Sequence, residues 1–153
     1  MAELFSYNKP FTLESGHTFN GYHLAYTTYG TLNQSRDNAV WIFHALTANS
    51  DPAEWWPGLV GEGKLFDPSS YFIVCVNMPG SCYGSIGPLD EDGQTGSPYY
   101  HTFPFFTTIT TAPGVAFCEI ASSTILSIGC SRFLLFIPTS SGTVYFKRDA
   151  EVL

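Results

Sequence analysis

The residues of this chain best placed to do chemistry are His44, Ala45, Leu46 and Thr47, which end the run Asn38-Ala-Val-Trp-Ile-Phe-His-Ala-Leu-Thr47. Apolar and β-branched residues from Ala39 to Phe43 read as a buried strand, and a polar tetrapeptide follows at once. In open α/β sheets ligands bind outside the carboxyl ends of strands. A backbone N–H in such a loop can stabilise a developing oxyanion, an effect worth about 3–4 kcal/mol where one donor has been removed. A further constellation is Gly80-Ser-Cys-Tyr-Gly84, which fits the spacing G-x-C-x-G. A thiolate nucleophile there would need a neighbouring histidine or helix N-terminus to lower its pKa. It would also need a helix directly after it, and Ser85-Ile-Gly-Pro88 forbids a regular one. Cys82 is therefore expected in a loop.

The elements that must hold these residues are legible in the first part of the chain. Phe11-Thr-Leu13, Gly16 and then Tyr22 to Tyr29 read as an opening hairpin or meander ended by Gly30. Tyr71-Phe-Ile-Val-Cys-Val76 is a second continuous apolar strand. Uninterrupted apolar strands belong in a parallel sheet covered on both faces. Between the two strands, Asp51 to Gly63 carries Trp55, Trp56, Pro57 and three glycines, which suits a loop packed by its own rings. Met78 to Tyr100 is a long Gly/Pro loop, and such loops in compact domains are usually functional or disordered.

After Thr108 the texture changes. Residues 109–146 hold two charged side chains, Glu119 and Arg132, and no amphipathic crossover helix can be drawn. Ile125, Ile128 and Phe133 to Ile137 form short β-prone runs, with Pro138 and Gly142 as breakers. Local and global signals conflict there, which argues against good foldability and marks an aggregation hazard.

The bulk numbers bound the rest. The 153 residues suit one domain, with 44% hydrophobic and only 12% charged residues against a norm of about 25%. The net charge is −7 and the six basic residues are scattered, so no stripe for nucleic acid exists. Cys75, Cys82, Cys118 and Cys130 show no metal spacing, and Cys75 reads as a buried reduced thiol. His17, His23 and His101 read as exposed or turn residues. The apolar stretch from Ala112 to Pro138 is interrupted by Glu119 and Arg132, each costing about 2.5–3.5 kcal/mol at a bilayer centre. No membrane partner is expected. The N-terminus lacks the charged-then-apolar pattern of a signal peptide, so a cytoplasmic location is expected.

From about Phe11 to Thr108 the chain resembles the homoserine O-acetyltransferase family of α/β-hydrolase-fold acyltransferases. The blocks that carry the resemblance stand in the family's order: Phe11-Thr-Leu-Glu-Ser-Gly16, Leu24-Ala-Tyr-Thr-Thr-Tyr-Gly-Thr-Leu-Asn33, Asn38 to Thr47, Trp55-Trp-Pro-Gly-Leu-Val-Gly-Glu-Gly-Lys64, Tyr71-Phe-Ile-Val-Cys-Val-Asn77 and Gly80-Ser-Cys-Tyr-Gly-Ser-Ile-Gly-Pro88, closed by Gly96-Ser-Pro-Tyr-Tyr100 and Phe103-Pro104. The resemblance implies an α/β fold: the opening β-strands and first core strands of an α/β-hydrolase, then a β-prone or disordered tail that does not match. Residues 1–108 would be an incomplete hydrolase domain and 109–153 a non-homologous tail.

The family's chemistry implies roles for the loop. A serine on a G-x-S-x-G elbow takes the acetyl group from acetyl-CoA and passes it to the L-homoserine hydroxyl, with a histidine as base and a carboxylate orienting it. By resemblance, the Leu46 amide is one oxyanion-hole donor, while His44, Ala45 and Thr47 line the substrate loop. His44 is read as a loop-fixing residue, with no proton-transfer role. Small-molecule substrates and a homodimer fit the intact enzyme, acetyl-CoA being a co-substrate and no cofactor being bound.

The sequence also departs from the family. No G-x-S-x-G occurs, and Ser122-Ser-Thr-Ile-Leu-Ser-Ile-Gly-Cys130 lacks the required glycine spacing. The Ser-Asp-His triad is missing from these residues, so the chain alone is expected to be inactive. Lost resemblance, charge and helical periodicity coincide at Thr108–Ile109. An out-of-frame tail explains this, and splicing or recombination is the alternative. A small β-rich binding module without catalysis is the rival reading, resting on the aromatic loops 51–63 and 98–106.

Overall fold

The computed structural model describes residues 2–13, 15–45 and 47–105, together with the strand backbone at 109–110, 116–117, 132–139 and 142–149. The elements in order are β1 (Glu3–Tyr7), β2 (Phe11–Thr12), β3 (Thr18–Phe19), β4 (Tyr22–Tyr29), β5 (Ala39–Ile42), α1 (Pro52–Trp55), β6 (Phe72–Val76), β7 (Glu91–Asp92) and β8 (Ser97–Pro98). After a 3-10 turn at Tyr100–Thr102 come β9 (Ile109–Thr110), β10 (Ala116–Phe117), β11 (Arg132–Thr139) and β12 (Gly142–Asp149). The main sheet has the order β1-β4-β6-β5-β11-β12, and three two-stranded ribbons pair β2 with β3, β7 with β8, and β9 with β10. By internal packing the chain divides into two compact units, one of Met1–Glu3, Tyr26–Val76 and Ile125–Leu153, the other of Leu4–Ala25 and Asn77–Thr124.

In the first unit β5 and β6 run parallel, with Ala39 opposite Phe72 and Ile42 opposite Cys75. All four residues of β5 are buried, as a continuous apolar run in a covered parallel sheet requires. Val40 and Ile42 share one face with Ile73 and Cys75, and Val60 and Phe66 complete that core cluster. Each such side chain contributes about 1.5–3 kcal/mol by leaving water. Tyr29, Trp55 and Trp56 pack against the cluster from its margin. The indoles of Trp55 and Trp56 lie 5.1 Å apart, so both are packing residues.

The connection from β5 to β6 needs no long helix. Asp51 caps the single turn α1, its carboxylate accepting from the Glu54 amide at 3.3 Å, with proline next in the chain. Burial and the hydrogen bond that Tyr29 donates to Asp51 push the Tyr29 hydroxyl pKa up. Burial, then the nearby Asp51 charge, pushes the Cys75 thiol up as well, as expected of an inert buried cysteine.

β4 departs from the hairpin reading. Phe11 and Thr12 pair with Phe19 and Thr18, while Tyr26 to Tyr29 pair antiparallel with β6 from Val76 to Ile73. The hairpin is thus the short β2–β3 ribbon, and β4 is a sheet strand whose residues Tyr22, Leu24 and Thr27 are buried. Gly30 ends β4 at φ +75°, where a Cβ would overlap the carbonyl oxygens of Tyr71 and Pro68, so only glycine fits. Pro138 does not end its strand: it lies inside β11, opposite Thr143 of β12. Ile125, Ile128 and the Thr108 boundary lie outside the described residues.

The second unit is built on aromatic contacts. Phe19 is fully buried among Tyr99, at 5.9 Å between centroids, Phe103 at 6.1 Å and His17 at 5.3 Å. His17 lies in the turn between β2 and β3, half-buried and with its Nε2 shielded from water. The long loop 78–100 is not featureless either. Asp92 accepts from the amides of Thr95 at 3.1 Å and Gly96 at 2.8 Å, a turn that joins β7 to β8 with Gly96 at φ +67°.

Candidate functional site

The loop leaving β5 holds the predicted site. Ile42, at the end of the strand, is fully buried, Phe43 and His44 are half-buried, and Ala45 and Thr47 are exposed. Trp41 and Phe43 stack at 4.5 Å between ring centroids and give the loop an aromatic floor. The Ala48 amide donates to the Ala45 carbonyl at 2.9 Å, closing a tight turn. His44 Nδ1 lies 2.8 Å from the same carbonyl oxygen. That bond forms only with the proton on Nδ1, which leaves Nε2 as the ring's acceptor in neutral imidazole. Leu46, the expected oxyanion donor, lies outside the described residues.

The far side of the loop is pinned by polar groups. Ser50 is buried, its hydroxyl 3.0 Å from that of Thr27 on β4. Asn49 accepts from the Asp51 amide at 2.8 Å, donates to Glu54 at 2.8 Å, and takes the Trp55 indole N–H on its carbonyl at 3.0 Å. Asn49-Ser-Asp-Pro52 is recognisable as a capping sequence. The Ser50–Thr27 contact has no local signal.

The glycine-rich segment after β6 behaves differently. The Ser85 hydroxyl accepts from the Ala25 amide at 3.0 Å and donates to the Asn77 carbonyl at 2.5 Å. The Asn77 amide donates to the Ala25 carbonyl at 2.8 Å, and its Nδ2 to the Tyr83 carbonyl at 2.9 Å. Gly84, at φ +93°, lies where a Cβ would approach that of Ala25 to 3.3 Å. No helix follows Cys82, and its side chain is exposed. Gly80-Ser-Cys-Tyr-Gly84 is thus a set of turns and not a nucleophile elbow. Nearby, Asp90 takes the Gly87 amide at 2.6 Å and lies 3.6 Å from His23 Nε2. These two residues, with Ser6, Asn8, Tyr22 and Glu91, border a cavity of about 250 Å3.

What the β5 loop can supply is a turn with an exposed tip at the carboxyl end of a buried parallel strand. Among the described residues no group of three His, Cys, Asp or Glu side chains is placed to hold a metal. No described helix is long and apolar enough to cross a membrane.

No protein-family profile matches the chain. Homoserine O-acetyltransferase of Cyclobacterium marinum is 52% identical over 106 residues, covering 69% of this chain and 30% of the relative. The enzyme of the same name from Chlorobium luteolum is 48% identical over 103 residues, or 67% of this chain and 29% of the relative. The crystal structure of homoserine O-acetyltransferase from Bacillus anthracis superposes with a TM-score of 0.75 at 28% identity, over 91% of this chain and 40% of that one. The chain spans about 30% of the length of the curated relatives it matches. With the order of its blocks and its mixed sheet, it belongs to the homoserine O-acetyltransferase family as an N-terminal segment of that α/β-hydrolase fold.

Proposed function

We propose that this chain supplies the opening sheet and the His44–Thr47 loop of a homoserine O-acetyltransferase, and that these residues alone transfer no acetyl group. The observation that carries the reading is the 52% identity over 106 residues to a homoserine O-acetyltransferase, in a chain without G-x-S-x-G. The reaction proposed for the intact enzyme moves acetyl from acetyl-CoA to the hydroxyl of L-homoserine through a serine ester. In it the Leu46 amide is one of two oxyanion donors, the other following the serine. His44 holds the loop through its Nδ1 contact, and Ala45 and Thr47 line it. A homodimeric, cytoplasmic enzyme acting on these small molecules belongs to the same proposal.

The purified 153-residue chain, mixed with acetyl-CoA and L-homoserine, is expected to release CoA no faster than buffer does. Sites stripped of a whole triad keep at most about 10³–10⁴-fold over water, and then only with a complete oxyanion hole. CoA release that depends on L-homoserine and saturates with it would overturn the proposal.

A further inference from the structure

β4 sends successive side chains to opposite faces of the sheet, and the two sets hold different partners. Tyr26 and Thr28 donate their hydroxyls to the Glu3 carboxylate of β1, at 3.3 and 2.8 Å. Thr27 and Tyr29 stand opposite Cys75 and Ile73 of β6, on the face that carries the core cluster. There the Thr27 hydroxyl lies 3.0 Å from that of Ser50, and Tyr29 donates to the Asp51 carboxylate. Consecutive loop residues are thus fastened to alternate residues of one strand. Thr27 is 6% and Ser50 2% exposed, so each hydroxyl needs a partner within the protein. A hydrogen bond is directional, whereas the apolar contacts of the neighbouring cluster would tolerate sliding. Beyond Ser50 the chain has little slack. The Asn49 side chain takes the Asp51 amide at 2.8 Å, and its carbonyl takes the Trp55 indole at 3.0 Å. On the other side the loop leaves from Ile42, which is fully buried. The turn closed by the Ala48 amide on the Ala45 carbonyl is suspended between these two fixed points.

We propose that Thr27 and Tyr29 are positioning residues for the His44–Thr47 loop, a two-point fastening through Ser50 and Asp51 that holds its turn still before any ligand arrives. An oxyanion donor works only within about 2.7–3.1 Å of the oxygen it stabilises, and a drifting loop would lose that placement. The fastening gives two hydroxyls of the Leu24–Asn33 block a task beyond packing. That a still loop serves acetyl transfer rests on the reading proposed above. The fastening itself needs no substrate and is measured without one.

Backbone nitrogen relaxation on the whole chain reads the fastening at the Ala48 amide. The order parameter expected there is about 0.85, the value of rigid backbone. It should fall below about 0.6 in Thr27→Val, which keeps the shape of the side chain and removes its hydroxyl. Tyr29→Phe, which removes the other fastening, should bring the same fall, and Thr27→Ser should restore the rigid value. The amides of Val40, Trp41 and Ile42 should stay near about 0.85 in every variant. Thr28→Val breaks a bond on the opposite face and should leave Ala48 unmoved. An Ala48 amide already mobile in the unaltered chain, or still rigid in either Thr27→Val or Tyr29→Phe, would overturn the proposal. Loss of order that spreads to β5, or equal loosening by Thr28→Val, would overturn it too, by showing a strand come loose as a whole. Should Thr27→Val fail to fold, Ser50→Ala removes the same contact from the loop side. Homoserine-dependent CoA release by the chain would sink the reading proposed above and leave the fastening standing.

Discussion

The loops that follow β5 and β6 leave neighbouring parallel strands and both are anchored to β4, yet they differ at their tips. The loop after β5 carries the residues of reactive type, its tip, Ala45 and Thr47, is exposed, and Trp41 and Phe43 stack where it leaves the strand. The loop after β6 has the composition of plain turns, yet Asn77 and Ser85 are buried and bonded to the backbone of β4. Polar groups at an exposed tip are satisfied by water, whereas those packed on the sheet, Ser50 at the base of the β5 loop included, must be satisfied internally.

The largest test removes the floor. Trp41→Ala should destabilise the fold by about 3–5 kcal/mol in denaturant melts, the range for a fully buried Trp. A cost below about 1 kcal/mol would mean that the β5 loop rests on something else.

Next comes Ser85→Ala, which strips the Ala25 amide of its acceptor in a buried place. The expected cost is about 1–3 kcal/mol, with faster amide exchange at Ile86 and Asn77. Equal exchange in variant and parent would dissolve the contrast between the loops.

The pH dependence sits between these and the surface changes. Tyr29 and Cys75 are both raised in the fold above their ordinary values. Raised acids bind more protons folded than unfolded, so their contribution is complete below the unfolded values, about 8.5 for the thiol and 10 for the phenol. It is lost as pH climbs above them. Melting temperature should hold near neutrality and fall from about pH 9 upward, and Tyr29→Phe should flatten part of that fall. A melting temperature constant up to about pH 11 would contradict the Tyr29–Asp51 bond.

The smallest effect belongs to the β5 loop itself. His44→Ala removes a half-buried ring and its Nδ1 contact with the Ala45 carbonyl and should cost about 0.5–1 kcal/mol. A loss comparable to that of Ser85→Ala would show that the two loops are built alike after all.

How much of this could be read from residue order depends on range. β5 and β6 are legible because strands buried on both faces are continuous apolar runs, and the tail's Phe133 to Ile137 run sits inside β11. β1 is silent, because its residues are mostly exposed and show no pattern. It carries Glu3, whose carboxylate accepts from the hydroxyls of Thr28 at 2.8 Å and Tyr26 at 3.3 Å. The His44–Thr47 loop is visible through the abrupt change of polarity after Phe43. Its anchor Ser50 is not, since the partner Thr27 lies on another strand. Ser85 is harder still: its acceptor role toward Ala25 spans 60 positions of the chain, and only the folded backbone brings the two together.

The sealed thiol on β6 gives this molecule an internal clock. Cys75 is buried, its ionised form disfavoured, while Cys82, a short way along the chain, stands in solvent. An alkylating reagent should therefore modify Cys82 at the speed of an open thiol and reach Cys75 only when the strand leaves the sheet. The lag between these two modifications, resolved from those of Cys118 and Cys130 by peptide mass, measures how often the sheet opens, with no residue changed.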